Sequence, residues 1–272
     1  MDAVSEPIQA PLHTLSVGEA GPRIAYLHGL FGQGRNWMQI AKAVGGRALL
    51  VDLPDHGRSP HSDEFSYASY ADRVAETLRA AGGEDRWTLV GHSLGGKVAM
   101  MVALQHPELI ERLAVVDIAP KGYGDLSRFE GYIKGMRTMP LEQIGSRAEA
   151  EEWFAGVESD PSVRAFLLQN LRRDGDSWTW QANLDLFAAD AESGGRSRIA
   201  DFPETGTHRE YDGPVLWLVG GDSRYVKQED SETMRTLFPK VRQVRVKGAD
   251  HWVHTTNPEV TIEALKALLA QG

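Results

Sequence analysis

Short apolar runs recur along the chain, most of them followed by a turn and then by a helical pattern. They are RIAYLHG from Arg23, RALLVDLP from Arg47, RWTLVGHS from Arg86, RLAVVDIAP from Arg112, PVLWLVGGD from Pro214 and RQVRVKGADH from Arg242. Runs this apolar suit strands buried on both faces of a parallel sheet. The segments between them change period. SYASYADRVAETLRAAGG sets Tyr70, Val74, Thr77 and Leu78 on one helical face and stops at Gly82, and SLGGKVAMMVALQHPE halts at Pro107. Strand and helix in alternation predict a doubly wound, mostly parallel α/β sheet.

One interval breaks the rhythm. Between Asp117 and Pro214 the signals are mainly helical, with a capping box from Ser146 to Glu149, a helix start at Asp160 and Pro161, and the aromatic residues Trp153, Phe154, Phe166, Trp178, Trp180 and Phe187. The pattern predicts a core domain of residues 1–119 and 213–272 with a helical cap, residues 120–212, inserted between its strands. A last helix is expected from Asn257 and Pro258 to about Ala270.

The stretch LVGHSLGGKVAM, residues 89–100, places Ser93 among Gly91, Gly95 and Gly96 where a strand gives way to a helix. Glycine weakens both elements by roughly 0.5–1 kcal/mol relative to alanine, so a turn too tight for side chains must require it. Such a corner presents a strained serine at the carboxyl edge of the sheet, with the free N–H groups of the next helix aimed at the same spot. The G-x-S-x-G spacing is weak alone; the strand before it and the helix after it carry the weight.

A serine needs a base, and histidine can serve at neutral pH. Of the nine histidines, His28 and His92 adjoin glycines in turns, His106 precedes Pro107, and His56 sits in the loop DLPDHGRS. His13, His61 and His208 lie in segments without a defined geometry. His251 in VKGADHWVHTTNPE follows a late strand by a short loop and falls over the same edge as Ser93, with His254 its rival, expected to face the last helix or the cap. The acid that orients the imidazole comes from a strand end. Asp52 reads as a turn aspartate capping loop N–H groups, whereas Asp117 and Asp222 both end strands within reach. In GGDSRYV, Ser223 rather than Asp222 falls at the usual acid position if Val226 is aligned with the valine common in such loops, which favours Asp117 with Asp222 as the alternative.

Taken together, HGLFG, DLPDHGRS, GHSLGGKVAM, VVDIAP, GGDSRYV and GADHWVH resemble the α/β-hydrolase fold, and more narrowly the small bacterial YbfF-type esterases and their mitochondrial relatives. The resemblance runs from about residue 12 to the end. It implies an acid on the strand after the nucleophile's, here Asp117, with Asp222 standing where the subgroup tends to have asparagine. It implies an oxyanion hole from the N–H of Leu94 and that of Leu30 or Phe31. It also implies small to medium acyl esters, with acyl-CoA thioesters as an extension, cleaved through an acyl-enzyme. Phe31, Trp153 and Trp252 are candidates to line an acyl pocket, and Lys121, Arg128, Lys134 and Arg137 to meet CoA phosphates.

Composition narrows the field without pointing elsewhere. With 29 basic against 38 acidic residues the net charge is −9, and no basic block suggests nucleic acid as a partner. The absence of cysteine excludes thiolate nucleophiles, iron–sulfur clusters and cysteine zinc sites; no metal or cofactor is expected. The start MDAVSEPIQAPLHTL lacks the basic-then-apolar order of a signal peptide, and no 18-residue apolar segment occurs, so a soluble cytoplasmic protein without integral membrane association is expected. Oligomeric state is open. So are other enzymes with the same triad, namely carbon–carbon bond hydrolases, cofactor-free haloperoxidases and aminopeptidases, and a small-molecule receptor with little turnover.

Overall fold

The computed structural model describes residues 10–124, 127–192, 197–202 and 210–271. His208 and the first nine positions lie outside the described residues. A seven-stranded sheet forms from β1 (Thr14–Val17), β2 (Arg23–Leu27), β3 (Arg47–Val51), β4 (Trp87–His92), β5 (Ile110–Val116), β8 (Val215–Gly220) and β9 (Val241–Val246). Between β5 and β8 in the chain, β6 (Leu171–Asp174) and β7 (Ser177–Trp180) pair as a separate hairpin. The sheet order is β1-β3-β2-β4-β5-β8-β9, parallel throughout except for β1 against β3. The sheet is the mostly parallel one that the alternation of strands and helices predicts.

Alternation explains why the central strands are apolar on both faces. Leu27, Val51, Leu89, Val115 and Trp217 point to one side, where α2 (Tyr67–Gly82) and α3 (Leu94–Gln105) cover them. Tyr26, Leu50, Val90, Val116 and Leu218 point to the other, under α1 (Met38–Val44) and α10 (Pro258–Leu269). Tyr70, Val74 and Leu78 form the buried stripe of α2 as its periodicity predicts, and the Ser66 hydroxyl caps its start by accepting the Ser69 N–H.

Two features depart from the pattern-based expectation. β9 lies at the sheet edge and is largely exposed, so its Arg242, Gln243 and Arg245 are solvated and it is not a strand buried on both faces. The interval from β5 to β8 is not purely helical. Besides α4 (Ser127–Thr138), α5 (Arg147–Phe154), α6 (Pro161–Leu168) and α7 (Leu184–Ala191), it holds the β6–β7 hairpin. The hairpin turns at Gly175, whose φ of 58° suits the first position of a type II′ turn. The Gly175-Asp176 dipeptide is the available signal.

Ser146 and Asp160 cap α5 and α6 as expected. The insertion packs around its own apolar cluster, including Met136, Phe154, Leu167 and Phe187, with Phe31 of the sheet domain buried among them. Polar side chains tie it to the sheet as well. Asn170 Nδ2 donates to the Phe31 carbonyl (2.8 Å), Asn183 Nδ2 to Asp55 Oδ1 (2.8 Å), and Lys97 Nζ to the Ala200 carbonyl (2.7 Å).

The glycines of the β4–α3 corner answer to backbone contact. A Cβ on Gly91 would stand 2.2 Å from the Gly95 carbonyl oxygen, and one on Gly95 would stand 2.4 Å from that of His28. Neither neighbour is a side chain that can swing away. Gly95→Ala is therefore expected to push α3 off β2 and lower stability by about 1–3 kcal/mol, read as a lower urea midpoint at unchanged slope. An unchanged midpoint would show that the corner is not close-packed.

Candidate active site

β4 ends at His92 and α3 begins at Leu94, leaving Ser93 alone to turn the chain, with φ 52° and ψ −117°. Left-handed φ is costly for a residue with a Cβ, and the flanking backbone contacts hold it there. The Ser93 N–H donates to the Val116 carbonyl (3.1 Å), which fixes the corner against β5. Immediately beyond Val116, Asp117 also takes a left-handed φ of 49°.

Three of the residues singled out in the sequence meet here. The Ser93 hydroxyl lies 3.0 Å from His251 Nε2, and His251 Nδ1 lies 2.9 Å from Asp117 Oδ2. Asp117 has no solvent exposure. Its Oδ1 accepts the Gly220 N–H at 2.8 Å, and its Oδ2 also accepts from the Ser223 hydroxyl. With Asp117 Oδ2 placed to accept from Nδ1–H, Nε2 is the lone-pair nitrogen facing serine.

Asp222 is not in this chain. It is exposed, and its N–H donates to the Ala249 carbonyl. Tyr225 lies flat against the imidazole of His251, ring centres 3.8 Å apart and planes 20° apart, a contact that sequence reasoning missed.

The other histidines separate by their partners. His28 accepts the Leu53 N–H at Nε2 (3.0 Å) and donates from Nδ1 to the Gly29 carbonyl (2.8 Å), shaping its turn. His92 donates from Nε2 to the His251 carbonyl at 2.9 Å, so it holds the backbone of that residue. His56 donates to the Pro54 carbonyl, His61 to the Gln181 carbonyl, and His106 to Asp72. His13 faces Asp52, which also caps the Gly34 and Arg58 N–H groups, as its sequence context suggested. His254 sits in α9 (Val253–Thr256), buried and stacked on Trp37 with ring centres 4.4 Å apart, close to His92.

A cavity of about 450 Å³ opens above Ser93. Its floor is the two turns with Leu30, Phe31 and Ser93, and its walls include Phe129, Tyr132, Val163, Phe166 and Trp252. Phe31 and Trp252 thus line it. Trp153 does not: it is half-buried against the insertion's own apolar cluster beside Phe154. Phe129 and Phe166 line it instead; an amphipathic helix carrying several aromatics does not declare in sequence which one will face a cleft. Of the basic residues considered for phosphates, Lys121 pairs with Asp230, Arg128 with Glu158, and Arg137 with Asp185 and Glu192; Lys134 is exposed.

The family model described as alpha/beta hydrolase fold matches residues 22–258. The chain belongs to the α/β-hydrolase family. Within it, the chain is 37% identical over 257 residues to the sn-1-specific diacylglycerol lipase ABHD11 of Mus musculus, covering 92% of this chain and 81% of that one. It is 28% identical to Esterase YbfF of Escherichia coli, with 90% and 92% covered. Among solved structures, one titled Marine microorganism esterase superposes with a TM-score of 0.88 at 30% identity, covering 95% of this chain and 99% of that one. No helix among the described residues of this α/β hydrolase is long and apolar enough to cross a membrane.

Burial gives the hydrolase site a pH-sensitive surround. Burial, and secondarily the charge His251 would carry, push His254 down to about 3; burial also holds His28, His56 and His92 below their ordinary values. A histidine neutral in the fold but free to protonate when unfolded withdraws stability as pH falls below about 6.5, down to its native pKa. For His254 the loss between pH 7.5 and pH 5 is on the order of 2 kcal/mol. His254→Phe keeps a ring on Trp37 and removes that term, so its unfolding free energy should fall less than the wild type's over the same interval. Equal falls in guanidinium titrations at the two pH values would contradict the assignment.

Proposed function

We propose that this protein is a serine hydrolase of carboxylic esters, with Ser93 as nucleophile, His251 as general base and Asp117 as the acid that orients it. The observation that carries the reading is the hydrogen-bonded chain from Ser93 through His251 to Asp117, opening on a largely apolar cavity. Relatives named lipase and esterase support ester bonds as the target.

In the proposed reaction Ser93 Oγ attacks the ester carbonyl carbon as its proton passes to His251 Nε2. Asp117 stabilises the imidazolium through Nδ1–H without itself taking the proton. The carbonyl oxygen, now an oxyanion, is held by N–H groups. That of Leu94 stands at the first position of α3, where the helix supplies no carbonyl to accept it. The second donor is the N–H of Leu30, with that of Phe31 as the alternative; the Phe31 carbonyl is turned away and held by Asn170 and Gln169. Each donor contributes about 3 kcal/mol in the transition state. Imidazolium protonates the leaving alkoxide, giving an acyl-Ser93 ester and free alcohol. Water, deprotonated by His251, then attacks the acyl carbon and releases the acid and Ser93.

In this reading residues 120–212 act as a cap over the 1–119 and 213–272 core. Its aromatic side chains Phe129 and Phe166, with Phe31 and Trp252, hold the acyl chain. The cavity volume suits a small to medium acyl group.

Ser93→Ala should abolish turnover of 4-nitrophenyl butyrate above background, and an aryl phosphonate should label Ser93 in a tryptic digest; retained turnover, or a label elsewhere, removes the assignment. Asp117→Asn should lower kcat by roughly 10³-fold or more, and Asp222→Asn by less than threefold. The reverse order would move the acid to Asp222.

A further inference from the structure

A second cavity, of about 560 Å³, lies beside the first at the seam between the sheet domain and the insertion. Five arginines line it: Arg35 and Arg58 from the sheet domain, and Arg147, Arg172 and Arg173 from the insertion. The only carboxylate in the lining is Asp52, whose oxygens already accept two backbone N–H groups and face His13. The chain as a whole is acidic, with a net charge of −9. Five guanidiniums around one cleft in such a protein need an explanation.

Their partners make the case stronger. Among the described residues, none of the five forms an ion pair. Arg147 donates to the Leu168 and Leu171 carbonyls (both 2.8 Å), and Arg173 to the Asp176 and Gly145 carbonyls (3.0 and 3.1 Å). Arg35 reaches the Gln169 carbonyl at 3.4 Å. Backbone carbonyls orient a guanidinium but do not cancel its charge. Arg147 and Arg173 also pack on the Trp178 ring, 6.0 and 4.7 Å from its centre, which holds their forks in place. Arg58 and Arg172 are exposed, and their side chains have no hydrogen-bond partner among the described residues. Guanidinium stays charged at any physiological pH, and its planar fork matches phosphate oxygens two at a time.

We propose that this cavity is a binding site for a phosphate-bearing organic anion carrying at least two negative charges. Three oriented arginines would seat the phosphate and two free ones would close on it. The two cavities share one lining side chain, Gln169, its Nε2 donating to the Phe31 carbonyl (3.2 Å) and its Oε1 accepting from Asn36 (2.8 Å). A phosphate here is either part of an ester whose acyl end enters the first cavity, or a separate soluble anion acting through the Gln169 contact. Both sources rest on the hydrolase reading; the binding site itself does not.

Calorimetric titration of the full chain with sodium pyrophosphate tests the site without any turnover. One equivalent should bind, more weakly at 300 mM than at 50 mM sodium chloride because exposed charges are screened. Arg58→Ala/Arg172→Ala should bind at least tenfold more weakly with an unchanged melting curve, while Arg242→Ala, on the exposed face of β9, should match the wild type. No binding in the wild type, equal affinity in the double variant, or an equal loss in Arg242→Ala would overturn the proposal. A kinetic arm separates the two sources. A loss confined to the kcat/KM of an acyl ester with a phosphorylated alcohol places the phosphate on the substrate, whereas a change in 4-nitrophenyl butyrate turnover on adding pyrophosphate makes it a separate effector.

Discussion

The corner at Ser93 is the constraint on which the rest depends. Three chain segments approach with no room for side chains: the end of β4, the first turn of α3 and the turn after β2. Their contact forces a left-handed φ on Ser93. It also aims the dipole of α3 at the space beside the hydroxyl, so the geometry that strains the serine sets the field around it. The same approach puts the turn at Gly29 and Leu30 against the serine, since a Cβ on Gly29 would stand 3.3 Å from Ser93 Cβ. A hydroxyl, a helix N-terminus and a free-standing turn thus converge because the backbone is packed, not because side chains were steered there.

Everything facing Ser93 is fixed by a second layer of buried polar contacts. His92 ties down the backbone of His251, Tyr225 covers one face of its ring, and Asp117, itself held by Gly220 and Ser223, takes Nδ1. Burial lowers the pKa of His92 and His254, so His92 adds its hydrogen bond and His254 its ring stacked on Trp37 without placing a positive charge beside His251. The α/β hydrolase sheet supplies the position for each: Ser93 after β4, Asp117 after β5 and His251 after β9, all at carboxyl ends of parallel strands.

What was legible in the sequence was whatever depends on neighbours in the chain. The doubly wound sheet, the stripe of α2, the caps at Ser146 and Asp160, and the glycine-bound serine all have consecutive determinants. β1 escaped because four residues of alternating polarity carry little signal, and the β6–β7 hairpin because its Gly-Asp turn sits in a stretch otherwise read as helical. Trp153 was expected on the acyl cavity, but a helix offers each aromatic more than one buried environment, and Trp153 took the interior of the insertion. Asp117 and Asp222 both end strands; burial and hydrogen bonding separate them, and neither is local. The arginine cavity is the extreme case, since positions 35, 58, 147, 172 and 173 form no basic block and become a cluster only when the insertion closes on the sheet.

The proposed catalysis requires a covalent bond between an acyl group and Ser93 Oγ. Rapid quenching of the protein with an excess of 4-nitrophenyl butyrate, followed by intact-mass and peptide mass spectrometry, examines that bond directly. A transient mass increase of one butyryl group on the peptide containing Ser93, decaying at the rate of acid release, is the predicted result. Hydrolysis proceeding with the Ser93 peptide unmodified at every quench time, or with the acyl group on another residue, would contradict it.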